Sequence, residues 1–179
     1  MSPRLHIIEI ASGGRLALSA RPRNGDELAL DMQAYAQAGI STVLSLLTDD
    51  EILTLSLLDE PAQCALAGMT FLRWPIEDRS APEQVPLELL EIVAQRVADG
   101  EAVLVHCRAG IGRSALVAVV LLAHLGVPPD DAWHRIADAR GCPVPDTEEQ
   151  RLWATAYAKQ RLAEPPASDP ESEFDELFG

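Results

Sequence analysis

The chain has 179 residues, enough for one domain with a substantial core and too few for two comfortable ones. Hydrophobic residues make up 47% and charged residues 23%, which excludes wholesale disorder, and the longest uncharged apolar stretch, residues 115–127, contains His124 and is too short to span a bilayer. With 14 Lys plus Arg against 28 Asp plus Glu, the net charge of −14 excludes long-range attraction to nucleic acid or to anionic membranes, so any phosphate must be captured by local fields.

His6 and Glu9 interrupt the apolar start, so no secretory leader is expected. Cys64, Cys107 and Cys142 are scattered and form neither a disulfide framework nor a paired metal motif. A reducing cytoplasm fits that usage, and neither a metal nor a cofactor is expected.

In chain order, residues 6–10 and 15–19 read as short strands around Ser12-Gly13-Gly14. Asp26 is placed to cap a helix that buries Leu28, Met32 and Tyr35 and ends at Gly39. Residues 40–47 follow as a buried strand, after which Thr48 and Glu51 have capping-box spacing; the acidic cluster 48–51 therefore starts a helix. Pro61 opens a further helix in which Cys64 fills the core, and residues 69–74 form the next strand. A helix over 86–99 and a strand over 101–106 lead to a helix from Ser114 to Leu125 that is apolar nearly all round and so central. Pro128 and Pro129 start a helix that turns Trp133, Ile136 and Ala137 inward, and Thr147 caps the last one. Alternating strands and helices predict an α/β fold with a central, mostly parallel sheet flanked by helices on both faces, and functional loops at the C-terminal ends of its strands.

The stretch from Val103 to Ser114 concentrates the chemistry. An apolar strand stops at His106 and Cys107, crosses a turn spaced by Gly110 and Gly112, and ends in Arg113 and Ser114 at a helix start. Glycines let backbone amides crowd toward one point, so the N–H groups of Arg108, Ala109, Gly110, Ile111, Gly112 and Arg113 can ring an anion beside the positive helix end. Such a field favours the thiolate of Cys107, the candidate nucleophile. Arg113 can grip two phosphoryl oxygens with its planar guanidinium, and Ser114 can donate to the sulfur as it leaves. His106 is expected to fix the loop and tune the thiolate rather than carry protons.

His-Cys-x-x-Gly-x-x-Arg-Ser, here His106 to Ser114, resembles the signature of the cysteine-dependent protein tyrosine phosphatase superfamily. No motif for the long phosphotyrosine-recognition loop of the large receptor-type members is present, so the resemblance is to the compact dual-specificity branch. It implies a metal-independent phosphomonoesterase working through a cysteinyl-phosphate, with a phosphoprotein or aryl phosphate as substrate. It also implies a general acid on a mobile loop upstream of the nucleophile. The proline-bounded segment 74–82 fits, with Asp78 as the candidate and Glu77 as its competitor; Arg79 pairs with an acid or draws substrate. Residues 140–150 are similar to the segment whose glutamine places the hydrolytic water, a role open to Gln150, although Thr147 and Gln150 also match a capping box.

Superfamily members that act on inositol lipids often carry a basic residue where Ile111 stands, although Arg108 matches their other basic position. Phosphoinositide hydrolysis, a catalytically weak phospho-binding pseudophosphatase, and sulfur transfer or arsenate reduction are the rival readings. Residues 1–162 are expected to form the catalytic domain. Residues 163–179 hold six acids and no base and read as a disordered acidic tail, in which Phe174, Leu177 and Phe178 share helical spacing and can fold onto a partner. Cys142 is a candidate for a protective disulfide with Cys107 under oxidation.

Overall fold

The computed structural model describes residues 4–164, so the expected acidic tail lies outside the described residues but for its first members. Strand β1 (His6–Glu9) runs antiparallel to β2 (Arg15–Ala20). Helix α1 (Asp26–Gln37), strand β3 (Thr42–Ser45), the short helices α2 (Asp49–Thr54) and α3 (Glu60–Leu66), and strand β4 (Thr70–Arg73) follow. Then come α4 (Leu87–Ala98), β5 (Ala102–Cys107), α5 (Arg113–His124), α6 (Pro129–Arg140) and α7 (Glu148–Ala163).

The sheet order is β1-β2-β5-β3-β4, parallel except at the β1 edge, as the alternation of elements predicts. β5 lies at the centre, paired with β2 and β3, and all six of its residues are buried; a strand covered on both faces needs such an unbroken run. Its side chains alternate across the sheet. Val103, Val105 and Cys107 join the core under α4 to α7, whereas Ala102 and Leu104 join the core under α1 and α3. α5 is the axle of the first layer. Every residue from Arg113 to Ala123 is buried, and α4, α6 and α7 pack around it.

Local chemistry sets the ends. α6 begins at Pro129 and stops at Gly141, whose φ of 68° supplies the left-handed turn that ends a helix. α1 departs from expectation. Its N-cap is Gly25, with no side-chain cap, and Asp26 is the first helical residue, where a carboxylate still meets the positive helix end. β3 is shorter than the apolar run predicts because Leu46 and Leu47 leave the ladder to form the loop that receives Arg113. Cys64 is fully buried, and burial, then the Glu60 charge, push its thiol up to about 12, as befits core filling. His124 is satisfied within the helical layer, its Nε2 lying 2.8 Å from the Tyr157 hydroxyl.

Candidate active site

The turn from Cys107 to Arg113 joins the central strand to the central helix, so its ends are fixed by the two most buried elements of the fold. Gly110 has φ 71°, and a methyl group there would overlap the carbonyl of Ser19 at the end of β2. Only glycine fits both demands. Gly112 differs from expectation, because its φ of −81° is open to any residue. Its lack of a side chain answers crowding instead. A methyl on Gly112 would overlap Asp146 Oδ2 and come within 2.9 Å of Gln150 Oε1.

Cys107 Sγ accepts from the Gly110 N–H at 3.2 Å and lies 3.6 Å from Ser114 Oγ. An amide and a hydroxyl aimed at one sulfur stabilise negative charge on it. Among the described residues, the N–H groups of Ala109, Ile111, Gly112 and Arg113 have no protein acceptor and are free to donate to an anion. All three cysteines are free thiols.

Arg113 is almost wholly buried, yet nearly every one of its donors is used. Nη1 donates to Glu51 Oε2 at 2.6 Å and to the Ile76 carbonyl at 2.9 Å, and Nη2 to Glu51 Oε1 at 2.9 Å. Asp78 Oδ1 is also 2.9 Å from Nη2, while Nε has no partner among the described residues. Burial opposes the arginine's charge, but the Glu51 hydrogen bonds, and then the charges of Cys107, Glu51 and Asp78, hold its pKa above the ordinary value. The fork is thus aimed before any ligand arrives.

Glu51 is the residue at the candidate site that the sequence pattern misses. It closes the predicted capping box on Thr48 and, with the same carboxylate, grips Arg113. Burial pushes its carboxyl up, but the Arg113 and Thr48 hydrogen bonds and the Arg113 and Arg108 charges prevail and hold it below its ordinary 4.5. A carboxyl depressed in the folded state contributes stability that is complete above its unfolded pKa and lost as pH falls through the folded value. Glu51→Gln is therefore expected to lower the melting temperature at neutral pH, with the gap to wild type narrowing as pH falls below about 4.5; a pH series of thermal melts reads this directly. A gap that widens on acidification would exclude the linkage.

His106 is buried at the end of β5. It follows the parity of β5 to the face opposite Cys107, where its Nε2 lies 2.8 Å from Glu60 Oε1, both side chains being buried. The two atoms approach without hydrogen-bond alignment.

The remaining candidates gather at the rim. Asp78 is half exposed beside Arg113, whereas Glu77 is exposed and lines a neighbouring cleft of about 740 Å³ with Trp74, Ile76 and Ser80. Among the described residues Arg79 forms no ion pair, and its carbonyl accepts from Thr147 Oγ1 at 3.4 Å. Gln150 is fully buried. Its N–H donates to Thr147 Oγ1, so half of the predicted capping box forms, but its side chain turns away: Nε2 donates to the Ser80 carbonyl at 3.2 Å, leaving Oε1 without a partner beside Gly112. The acid-bearing loop and the start of α7 are thereby tied together.

The human cyclin-dependent kinase inhibitor 3 is 27% identical over 148 residues, covering 79% of this chain and 68% of that protein. A kinase-associated phosphatase carrying serine at its catalytic-site cysteine superposes with a TM-score of 0.77 at 20% identity, over 92% of this chain and 99% of the other. The active form of the phosphatase Tk-PTP gives 0.66 at 28% identity, over 83% and 95%. The Tc-R-P family model, a DSP-PTPase phosphatase of polymorphic toxin systems, matches residues 19–126, from the end of β2 through the loop and all of α5. The chain therefore belongs to that DSP-PTPase family and is a cysteine-dependent phosphatase of the protein tyrosine or dual-specificity type.

Proposed function

We propose that the protein removes single phosphates from phosphoprotein side chains or aryl esters without a metal, through a phosphoryl group carried on Cys107. The observation that supports this most is the joining of a sulfur that accepts an amide hydrogen bond, free loop amides and an aimed guanidinium within one strand-to-helix turn. Cys107 Sγ attacks phosphorus in line with the leaving oxygen. The loop amides of residues 108–113 and Arg113 hold the equatorial oxygens as their charge shifts, and Ser114 donates to the sulfur when it departs. Asp78 protonates the leaving oxygen. Its contact with Arg113 Nη2 stands where a phosphoryl oxygen would compete, so arrival of substrate releases the carboxyl for that task. Gln150 Oε1 orients the water of the second step.

Asp78→Asn is expected to lower kcat for phenyl phosphate by on the order of 10²-fold and to erase the alkaline limb of its pH profile, with a smaller loss on p-nitrophenyl phosphate, whose leaving group needs no proton. A variant retaining full rate and both limbs would exclude Asp78.

Substrate class follows from the surroundings. The adjoining cleft carries Asp49, Asp50, Glu77 and Glu83, a negative wall that repels a polyphosphorylated headgroup and tolerates a lone phosphorylated side chain with basic neighbours. Among the described residues no helix is long and apolar enough to cross a membrane. Turnover of phosphotyrosine peptide, phosphoserine peptide and phosphoinositide, measured side by side without metal, tests the reading; the peptides should lead, and clear preference for the lipid headgroup would overturn it.

A further inference from the structure

Next to the acidic cleft lies a second, apolar hollow of about 240 Å³ that the proposed reaction leaves unused. Ile52, Leu53, Leu57, Leu58, Pro61 and Phe71 line it. Asp49, paired with Arg73 at 2.7 Å, lines both cavities and so marks the place where they meet.

The local sequence explains the shape. Helix α2 turns Ile52 into the core and leaves Leu53 outside; the chain then reverses at Ser56, whose φ of 55° is left-handed, and sends Leu57 inward and Leu58 outward. Ile52 and Leu57 make a buried floor, while Leu53 and Leu58 stand 59% and 66% exposed at its rim. The turn is held by the Leu57 N–H, which donates to the Ile52 carbonyl at 2.9 Å, and by Asn24 Nδ2, which donates to the Leu55 carbonyl at 3.1 Å. One exposed leucine is ordinary, but two at the lip of a concave apolar pocket leave surface that a matching side chain would cover. The hollow is smaller than the roughly 300–1,000 Å³ of small-molecule sites, so it suits one or two side chains.

Its distance from the reaction is set by α2. Glu51, which grips Arg113, directly precedes Ile52, so the hollow lies about 10–15 Å from the phosphoryl site, the reach of three to five extended residues. The cleft that joins them carries Asp50, Glu77 and Glu83, all exposed and without ion pairs among the described residues. An occupant that also reaches the phosphate loop must therefore be basic along the cleft and apolar at its end.

We propose that this hollow is a docking pocket for the phosphoprotein substrate: it seats one large aliphatic side chain, separated from the phosphorylated residue by a short basic stretch that lies along the acidic cleft. This rests on the reading that the protein acts on phosphoprotein side chains, and it adds the sequence around them.

The test uses phosphotyrosine peptides with arginine beside the phosphorylated residue and a leucine moved through the positions on either side. p-Nitrophenyl phosphate, too small to reach the hollow, is the control. Wild type is compared with Leu53→Asp and Leu58→Asp, exposed positions at which the fold is kept, as thermal melts check. The expected result is one leucine placement that raises kcat/KM by about ten-fold over the leucine-free peptide, loss of that gain in both variants, and unchanged turnover of p-nitrophenyl phosphate. Equal rates for every leucine placement, or a gain that survives in either variant, would overturn the docking pocket; a gain indifferent to replacing arginine by glutamate would overturn the basic stretch. A wild-type dimer that Leu58→Asp dissolves would assign the hollow to a second copy and overturn the proposal. Absence of turnover of both p-nitrophenyl phosphate and peptides by wild type would instead overturn the underlying reading.

Discussion

Cys107→Ser is expected to lower kcat for p-nitrophenyl phosphate by at least about 10⁴-fold while leaving the affinity for phosphate within a few-fold of wild type. The asymmetry follows from what each atom does. In the proposed reaction the sulfur makes the bond to phosphorus, whereas the loop amides and Arg113, which the substitution leaves in place, hold the oxygens. A serine hydroxyl fits the space of the thiol and accepts from the Gly110 N–H, but it remains protonated at neutral pH and is a far poorer nucleophile there. Kinetics with p-nitrophenyl phosphate and calorimetric titration with inorganic phosphate separate the two effects. A variant as active as wild type would refute the nucleophile assignment, and a wild type that binds without turnover would make the protein a pseudophosphatase.

Arg113→Lys is expected to cost on the order of 10³-fold in kcat, although it preserves charge. The guanidinium already spends its outer face on both oxygens of Glu51 and on the Ile76 carbonyl, and it presents Nε and Nη2 in one plane. An ammonium cannot hold a bidentate carboxylate and present two coplanar donors at once, so it satisfies Glu51 or the phosphoryl oxygens. Restored activity in Arg113→Lys paired with Glu51→Gln would show that the carboxylate, not the fork geometry, sets the loss; the account predicts no rescue. Steady-state kinetics of the single and double variants, with thermal melts to confirm folding, decide between them.

The candidate loop was legible because its parts are local. Thiol, turn glycines, guanidinium and hydroxyl lie within one short run, and the buried strand and helix that bracket it announce themselves by unbroken apolar character. The alternation of strands and helices likewise carried the sheet's parallel core, and the spacing of Thr48 and Glu51 carried a cap. What was not legible is made by contacts between distant segments. Glu51 meets Arg113 across 62 residues because β3 and β5 are neighbours and both loops leave at the same end of the sheet. Glu60 meets His106 because strand parity sends that ring away from the adjacent Cys107. In each case the side chain satisfies a local rule, and the second role is visible only when the topology is known.

The central claim is that the thiolate of Cys107 takes the phosphoryl group while Arg113 and the loop amides hold its oxygens. The most direct measurement is acid-quenched turnover of a radiolabelled aryl phosphate in the absence of metal, followed by peptide mapping. The account predicts label on the peptide that contains Cys107, lost in Cys107→Ser. Turnover that leaves no label on any peptide, or label that survives in Cys107→Ser, would contradict it.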